Sequence, residues 1–363
     1  MLSVVIVTYN HRETVGQTLP ALAGQLRDGD ELIVVDNASG DGTVGAVREL
    51  TPDAAVIQTG ENLGFPAACN RGADAAAGEL LCFLNPDAVP APGWRDAIEA
   101  PLAEGCGWAA WQGLVTAEEG TLINTSGGVV HFTGIAWAGE VGRELRPAGG
   151  WGDGDPQDVV ASERGTVAVP SDPAFVSGAC LAIPRETFAA AGGFPGEYFL
   201  YHEDVDLSLR LRLRGGTLGV VPEAVVDHDY EFDKGAAKWL YLERNRWATL
   251  IRTYPGALLA LVFPALVATE LALVPVSIRG GWFGRQVRAK LDVLRWLPRL
   301  LRERRKIQAA RTVGAGEFAA ALTAGLSSPY LGAAGRSGLL RGLLAAYWRL
   351  VLRLLGAKPN AGA

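Results

Sequence analysis

Asp36, Asp87 and Asp204 lie far apart in the chain, yet each stands where an apolar run stops or a helix begins. Asp36 ends "ELIVVD" and precedes the turn-prone "NASGDG", a place suited to accepting hydrogen bonds from a nucleobase N–H or ribose hydroxyls, or simply to capping a turn. Asp87 follows "LLCFLNP", where a hard carboxylate oxygen can hold Mg²⁺ or Mn²⁺. Asn85 is a weaker ligand two residues earlier, so metal affinity should lean on the phosphates of a bound donor. His228 in "VVDHDYEF" offers an imidazole to complete the coordination sphere, although a lone histidine is more often structural. Glu203 and Asp204 open a predicted helix, "HEDVDLSLRLRLRGG", whose positive end favours ionised carboxylates able to accept a proton; plain helix capping is the alternative. A nucleotide pocket, a cation to stabilise a departing diphosphate and a base for an acceptor hydroxyl are the parts that group transfer from a nucleotide diphosphate needs.

The elements that must position these residues are legible. Four apolar runs, "SVVIVT", "ELIVVD", "AAVIQT" and "LLCFLN", mostly alternate with helical patterns, which predicts an α/β fold with a parallel, doubly wound sheet. Ligands of such sheets sit beyond the carboxyl ends of the strands. The residues there are polar: Thr8, Tyr9 and Asn10 after the first run, Asp36, Asn37 and Ser39 after the second, Asn85 and Asp87 after the fourth. Residues 140–172 are aperiodic and rich in Gly, Asp and Pro, as a surface loop or a lid would be. The pattern resumes at "SGACLAI", passes through the helix near His202 and continues into a strand, "TLGVVP".

A net charge of −6 conceals a division: residues 1–233 carry 12 Lys+Arg against 34 Asp+Glu, residues 234–363 carry 21 against 5. An acidic region that recruits divalent cations and repels nucleic acid is thus followed by a basic, leucine-rich one suited to anionic lipid. We expect a catalytic domain over 1–233, a helical region for membrane association or packing over 234–363, and no nucleic-acid partner. Pro255 to Ile278 is long enough to span a bilayer, but Pro264, Pro275 and a lone Glu270 make a broken or in-plane helix at least as good a reading. Arg279 to Arg311 then holds eleven basic and two acidic residues, and the last helix, "LLRGLLAAYWRLVLRLL", sets Arg341, Arg349 and Arg353 opposite leucines, an interfacial or a packed pattern. "LSVVIVTYN" starts at residue 2 without a leader, and Cys69, Cys82, Cys106 and Cys180 lack CxxC spacing, as buried reduced thiols do; both suggest the cytoplasmic face of a membrane. Association with further copies of the chain stays open.

In order, "VVIVTYN", "VVDNASGDGT", "ENLGFPAACNRG", "LLCFLNPDA", "SGACLAI" and "GGFPGEYFLYHEDVDLSLRLRLRGG" resemble the family 2 glycosyltransferases, especially their rhamnosyltransferase-like branch, over roughly residues 1–250. The resemblance implies a GT-A fold and an inverting, metal-dependent transfer from a nucleotide-diphosphate sugar to an acceptor such as a lipid-linked glycan in cell-envelope polysaccharide synthesis. It implies that Asp36 and the Thr8–Asn10 turn, with Asn37, hold the nucleotide, that Asn62, Gly64, Asn70, Arg71 and Asn85 line the donor site, and that Asp87 is the last carboxylate of a DxD motif. Asp204, beside Glu203, matches the catalytic base and His228 a metal-binding histidine; Ser177, Gly178, His202, Arg246 and Trp247 become candidate acceptor contacts. Two departures stand out. The DxD is reduced to "NPD", and "ERNRW" at 243–247 resembles the QxxRW signature of processive synthases with Glu243 in the Gln position, in a chain without their multiple spans. Addition of one or a few sugars follows.

A dinucleotide-binding oxidoreductase needs a GxGxxG turn after its first strand, and "TYNHRET" has none. A sugar nucleotidyltransferase needs a Gly-rich basic loop there, also missing. A non-catalytic scaffold or carbohydrate-binding protein at the membrane is the remaining rival, against which the three aspartates argue.

Overall fold

Val, Ile and Leu dominate the strand runs because a strand covered on both faces reads as continuously apolar. In the computed structural model, which describes residues 1–145, 159–162, 165–168, 172–228, 235, 237–326 and 337–357, all four early runs are strands. The chain divides into one unit of Met1–Gly128, Ala138–Leu207 and Thr217–Tyr230 and another of Val129–Trp137, Ser208–Gly216 and Glu231–Ala363.

The first unit runs β1 (Leu2–Thr8), α1 (Val15–Ala23), β2 (Glu31–Asp36), α2 (Thr43–Leu50), β3 (Ala55–Gln58), α3 (Phe65–Ala75), β4 (Leu80–Leu84), β5 (Val89–Pro90), α4 (Trp94–Ala103), β6 (Ala110–Ala117) and β7 (Leu122–Thr125). The chain then forms a small hairpin of β8 (Gly128–Val130) and β9 (Ala136–Ala138), most of which falls in the second unit, and the first unit continues with a hairpin of β10 (Val159–Ser162) and β11 (Gly165–Ala168), β12 (Cys180–Pro184), α5 (Arg185–Ala191), α6 (Glu203–Leu213) and β13 (Leu218–Asp227). The expected loop or lid at 140–172 otherwise lies mostly outside the described residues.

The sheet order is β3-β2-β1-β4-β12-β6-β13-β5, with β7 on β6. β3, β2, β1 and β4 are parallel, as the alternation implied, but β12 enters antiparallel between β4 and β6. β13 runs parallel to β6, so the ends of β1, β2, β4 and β13 and the start of β12 share one edge of the sheet. Leu2, Val4, Ile6, Leu80, Cys82, Trp94 and Trp111 fill the core on one face. On α3, Gly72 faces β1 so closely that an added Cβ would stand 2.3 Å from Val5 Cγ1; only glycine permits this approach.

The second unit carries α7 (Ala237–Thr253), α8 (Gly256–Arg279), α9 (Phe283–Ala309), α10 (Ala315–Ala320) and α11 (Gly338–Leu354), and the division crosses α6. α8 runs unbroken through Pro264 and Pro275, which removes the broken-helix alternative; among the described residues it alone is long and apolar enough to cross a membrane, by length and composition. A second expectation is corrected at Glu270. Glu270 is not lone: it pairs with Arg246 and with Lys290 Nζ (2.8 Å) and accepts from Trp247 Nε1 (2.7 Å). α11 packs Trp348 and Val351 inward, Trp348 stacking on Phe132 at 4.9 Å, while Leu339, Leu343, Leu350 and Leu354 stay exposed. All four cysteines are free, but Cys106, expected buried, is exposed.

Candidate functional site

The shared sheet edge gathers most of the polar residues singled out above. Thr8 and Asp36 are register partners at the ends of β1 and β2, and the Thr8 hydroxyl donates to Asp36 Oδ1 (2.9 Å) while Ser39 N–H donates to Oδ2 (3.0 Å). Asp36 is 1 % exposed, and each oxygen keeps a lone pair beyond the bond it already accepts. Asn10, at φ 58°, donates from its backbone to Ser39 Oγ (2.9 Å) and accepts from Gly40 N–H (2.8 Å), locking the first turn to the second. Tyr9 remains exposed above this junction.

From the end of β2, Asn37 Nδ2 donates to the Gly64 carbonyl (3.2 Å), and Asn62 Oδ1 accepts from Gly64 N–H (3.0 Å). Gly64 has φ 83°, and an added Cβ would lie 2.4 Å from the Phe199 carbonyl, which already accepts from Phe65 N–H (2.8 Å). The loop before α3 is thereby fastened to the segment before α6. Asn70 clasps the backbone of Phe194, donating and accepting at 2.9 Å each, so both of its amide atoms are engaged in packing; Arg71 is exposed on the same helix.

Asp204 and the Asp87 turn are both tied to the turn that leads into β12. Asn85 N–H, just past β4, donates to the Ala179 carbonyl (3.0 Å), and Gly178 N–H donates to Asp204 Oδ2 (3.2 Å). Adjacent residues just ahead of one antiparallel strand therefore hold both the Asp87 turn and Asp204. Val205 N–H adds a bond to Asp204 Oδ1 (2.8 Å), as expected at a helix start. Burial raises the Asp204 pKa against these amide bonds, and it pushes neighbouring Glu203, 6 % exposed, up to about 8, with the Asp204 charge adding to the rise. Phe199, Tyr201 and His202, just ahead, have φ of 66°, 67° and 69°, a left-handed conformation that costs non-glycine residues about 1 kcal/mol or more each.

Asp87 Oδ1 lies 3.1 Å from His228 Nε2, and Asn85 Nδ2 lies 3.4 Å from the same nitrogen. Burial tends to raise the Asp87 pKa, but the hydrogen bond and charge of His228, helped by the charge of His11, hold it below the usual carboxylate range. Among the described residues no three His, Cys, Asp or Glu side chains gather as a complete metal cage. One carboxylate and one imidazole within contact distance do fit a magnesium-like or manganese-like ion that completes its shell with diphosphate oxygens and water.

Sequence reasoning missed two supports. Gln112 Oε1 on β6 accepts from Ser177 N–H (2.8 Å) and so fixes the approach to Gly178; nothing in a buried strand glutamine signals that partner. His11, whose Nδ1 accepts from Tyr9 N–H (3.0 Å), could have been found as the polar residue following the first turn. Arg246 and Trp247 belong to the other unit, in the ion network with Glu243, Glu270 and Lys290.

A half-sheet of parallel strands, reversed by β12 and carrying its polar residues along one edge, defines a GT-A transferase. The profile "Glycosyl transferase family 2" matches residues 3–112 and "Glycosyl transferase family group 2" matches 158–298. The chain belongs to the family 2 glycosyltransferases and is an enzyme of that class. It is 27 % identical over 271 residues to an N-acetylglucosaminyl-diphospho-decaprenol L-rhamnosyltransferase of Mycobacterium tuberculosis, covering 69 % of this chain and 83 % of that one. It is 28 % identical over 222 residues to an O-antigen biosynthesis protein, RfbC, of Myxococcus xanthus, covering 58 % of this chain and 16 % of that protein. The crystal structure of GalNAc-T7 with UDP, GalNAc and Mn²⁺ shares the fold at 18 % identity and a TM-score of 0.54, over 72 % of this chain and 50 % of that one.

Proposed function

We propose that this chain transfers a rhamnose-like sugar, with inversion, from a nucleotide diphosphate to a lipid-linked glycan at the cytoplasmic face of a membrane, in cell-envelope polysaccharide synthesis. The observation that carries the reading is the turn leading into β12, where Gly178 bonds Asp204 and Ala179 bonds the Asp87 turn. A base and a metal-binding carboxylate fastened to neighbouring residues can act on one bond from two sides. The mycobacterial relative, by its name a rhamnosyltransferase acting on a diphospho-decaprenol, supports the sugar and the acceptor class.

Asp204 takes the proton of the acceptor hydroxyl, and the hydroxyl oxygen attacks the anomeric carbon from the face opposite the diphosphate. The raised pKa of Asp204 makes it a stronger base than an exposed aspartate, and Glu203, largely neutral below about 8, does not compete for the proton. Asp36, with Thr8, Tyr9, Asn10 and Asn37, frames the nucleotide, and Asn62, Gly64, Asn85 and Arg71 bound the donor pocket. Asp87 and His228 hold Mg²⁺ or Mn²⁺, which when bound neutralises charge on the departing diphosphate. Ser177, Gly178 and His202 face the acceptor, while the basic residues of 234–363 favour an anionic membrane surface.

The test is a screen of nucleotide sugars for turnover with divalent metal, repeated on Asp204→Asn. The variant should bind donor unchanged and lose about 10²–10⁴-fold in turnover, the usual span for a general base. Undiminished turnover removes Asp204 from the mechanism.

A further inference from the structure

In the second unit, Gly256, Leu301, Arg304, Arg305, Gln308 and Arg311 line an open cavity of about 390 Å³. Three guanidinium groups border it, and among the described residues no acidic side chain does. Its floor is built: Arg304 Nη1 donates to the carbonyls of Ile251 (2.6 Å) and Tyr254 (2.7 Å), and Gln308 Nε2 to that of Thr253 (2.9 Å), capping the end of α7. Burial and the nearby charge of Arg311 both press the Arg304 pKa below its ordinary value, the crowding that a bound anion relieves. The first internal bond of α8 runs from Leu259 N–H to the Pro255 carbonyl, so the amides of residues 256–258 begin the helix without helical acceptors and turn its positive end toward the same space.

An apolar stripe starts at that cavity. Along α8 the exposed positions 256, 260, 263, 267, 271, 275 and 278 recur at steps of three or four, and Phe263, Val267, Leu271 and Ile278 among them are large hydrophobics, while Leu258, Val262 and Leu266 face inward. Leu271 is 68 % exposed. A chain of this chemistry left uncovered, ending at three cations, matches an amphiphile with an anionic head.

We propose that the Arg304–Arg305–Arg311 cavity seats the phosphate group of a membrane lipid whose acyl chains lie along the exposed stripe of α8. The proposal rests on the reading that this unit meets a membrane and adds a discrete headgroup site to it. Phosphate chemistry is shared by a lipid and a free diphosphate; the stripe favours the lipid.

The experiment uses the full chain and sedimentation with vesicles of phosphatidylcholine, with or without phosphatidylglycerol. Arg305 and Arg311 are exposed, so Arg305→Ala/Arg311→Ala should fold, which circular dichroism checks. Arg285→Ala/Arg302→Ala removes the same charge from exposed positions of α9 outside the cavity. The cavity double should weaken binding to the phosphatidylglycerol vesicles about 25-fold, five-fold per guanidinium, and at least five-fold more than the control double. Inorganic diphosphate should compete weakly, and Phe263→Ser/Leu271→Ser should weaken vesicle binding without changing that competition. Equal losses in the two arginine doubles overturn the headgroup site while leaving membrane association intact. Tight binding of inorganic diphosphate with vesicle binding indifferent to the cavity double overturns the lipid assignment, and absence of vesicle binding by the unaltered chain removes both readings.

Discussion

Glu203→Gln isolates the electrostatics of the candidate base. The Glu203 carboxyl, ordinarily near 4.5, is held up to about 8 by burial and by Asp204. Between those values the unfolded chain ionises this group and the folded chain does not, so folding is favoured fully below 4.5 and loses that contribution as pH rises through about 8. Each pH unit in the window costs roughly 1.4 kcal/mol, to a ceiling of about 5 kcal/mol. Glutamine keeps the shape and removes the titration. Thermal melts from pH 5 to pH 8 should therefore show the unaltered chain losing several degrees more than the variant. Transition temperatures that fall in parallel would mean that Glu203 is ionised in the folded protein, and the argument for a neutral neighbour beside Asp204 would fail.

Asp87→Ala and His228→Ala should each weaken metal-dependent turnover by about 10–100-fold, with EDTA silencing the unaltered enzyme until Mg²⁺ or Mn²⁺ returns; EDTA-insensitive turnover would remove the cation. Arg246→Met should destabilise the second unit by about 3–5 kcal/mol, because among the described residues it leaves Lys290 as the single cation facing Glu243 and Glu270, and urea unfolding measures this. Since Arg246 and Lys290 lower the Glu243 pKa to about 2, this network's contribution should be complete above 4.5 and vanish as pH falls toward 2, read as an acid transition that Glu243→Gln flattens. Gly64→Ala should lower both stability and turnover, since its Cβ meets the Phe199 carbonyl at 2.4 Å; an unchanged melting point would refute that clash.

What was legible in the sequence were features that repeat locally. Apolar runs followed at once by Thr8, Asp36 and Asp87 declare strands and their carboxyl ends, and the helix-opening pair Glu203–Asp204 declares itself by charge and position. The antiparallel entry of β12 was not legible, because strand direction depends on pairing between residues about a hundred positions apart, Leu181 with Phe83 among them. For the same reason Asn70 gave no hint of Phe194, Gln112 none of Ser177, and Glu270 none of Arg246. Composition signalled the basic, apolar region but not which face of α8 would be covered.

The left-handed run of Phe199, Tyr201 and His202 has a bearing on engineering. Glycine at any of these positions relieves torsional strain, and a stability-driven redesign would select it. It would also enlarge the freedom of the chain just where the approach to Asp204 is set. Mutational tolerance in this enzyme should thus follow backbone torsion as closely as side-chain chemistry, and the hardiest variants need not be the fastest.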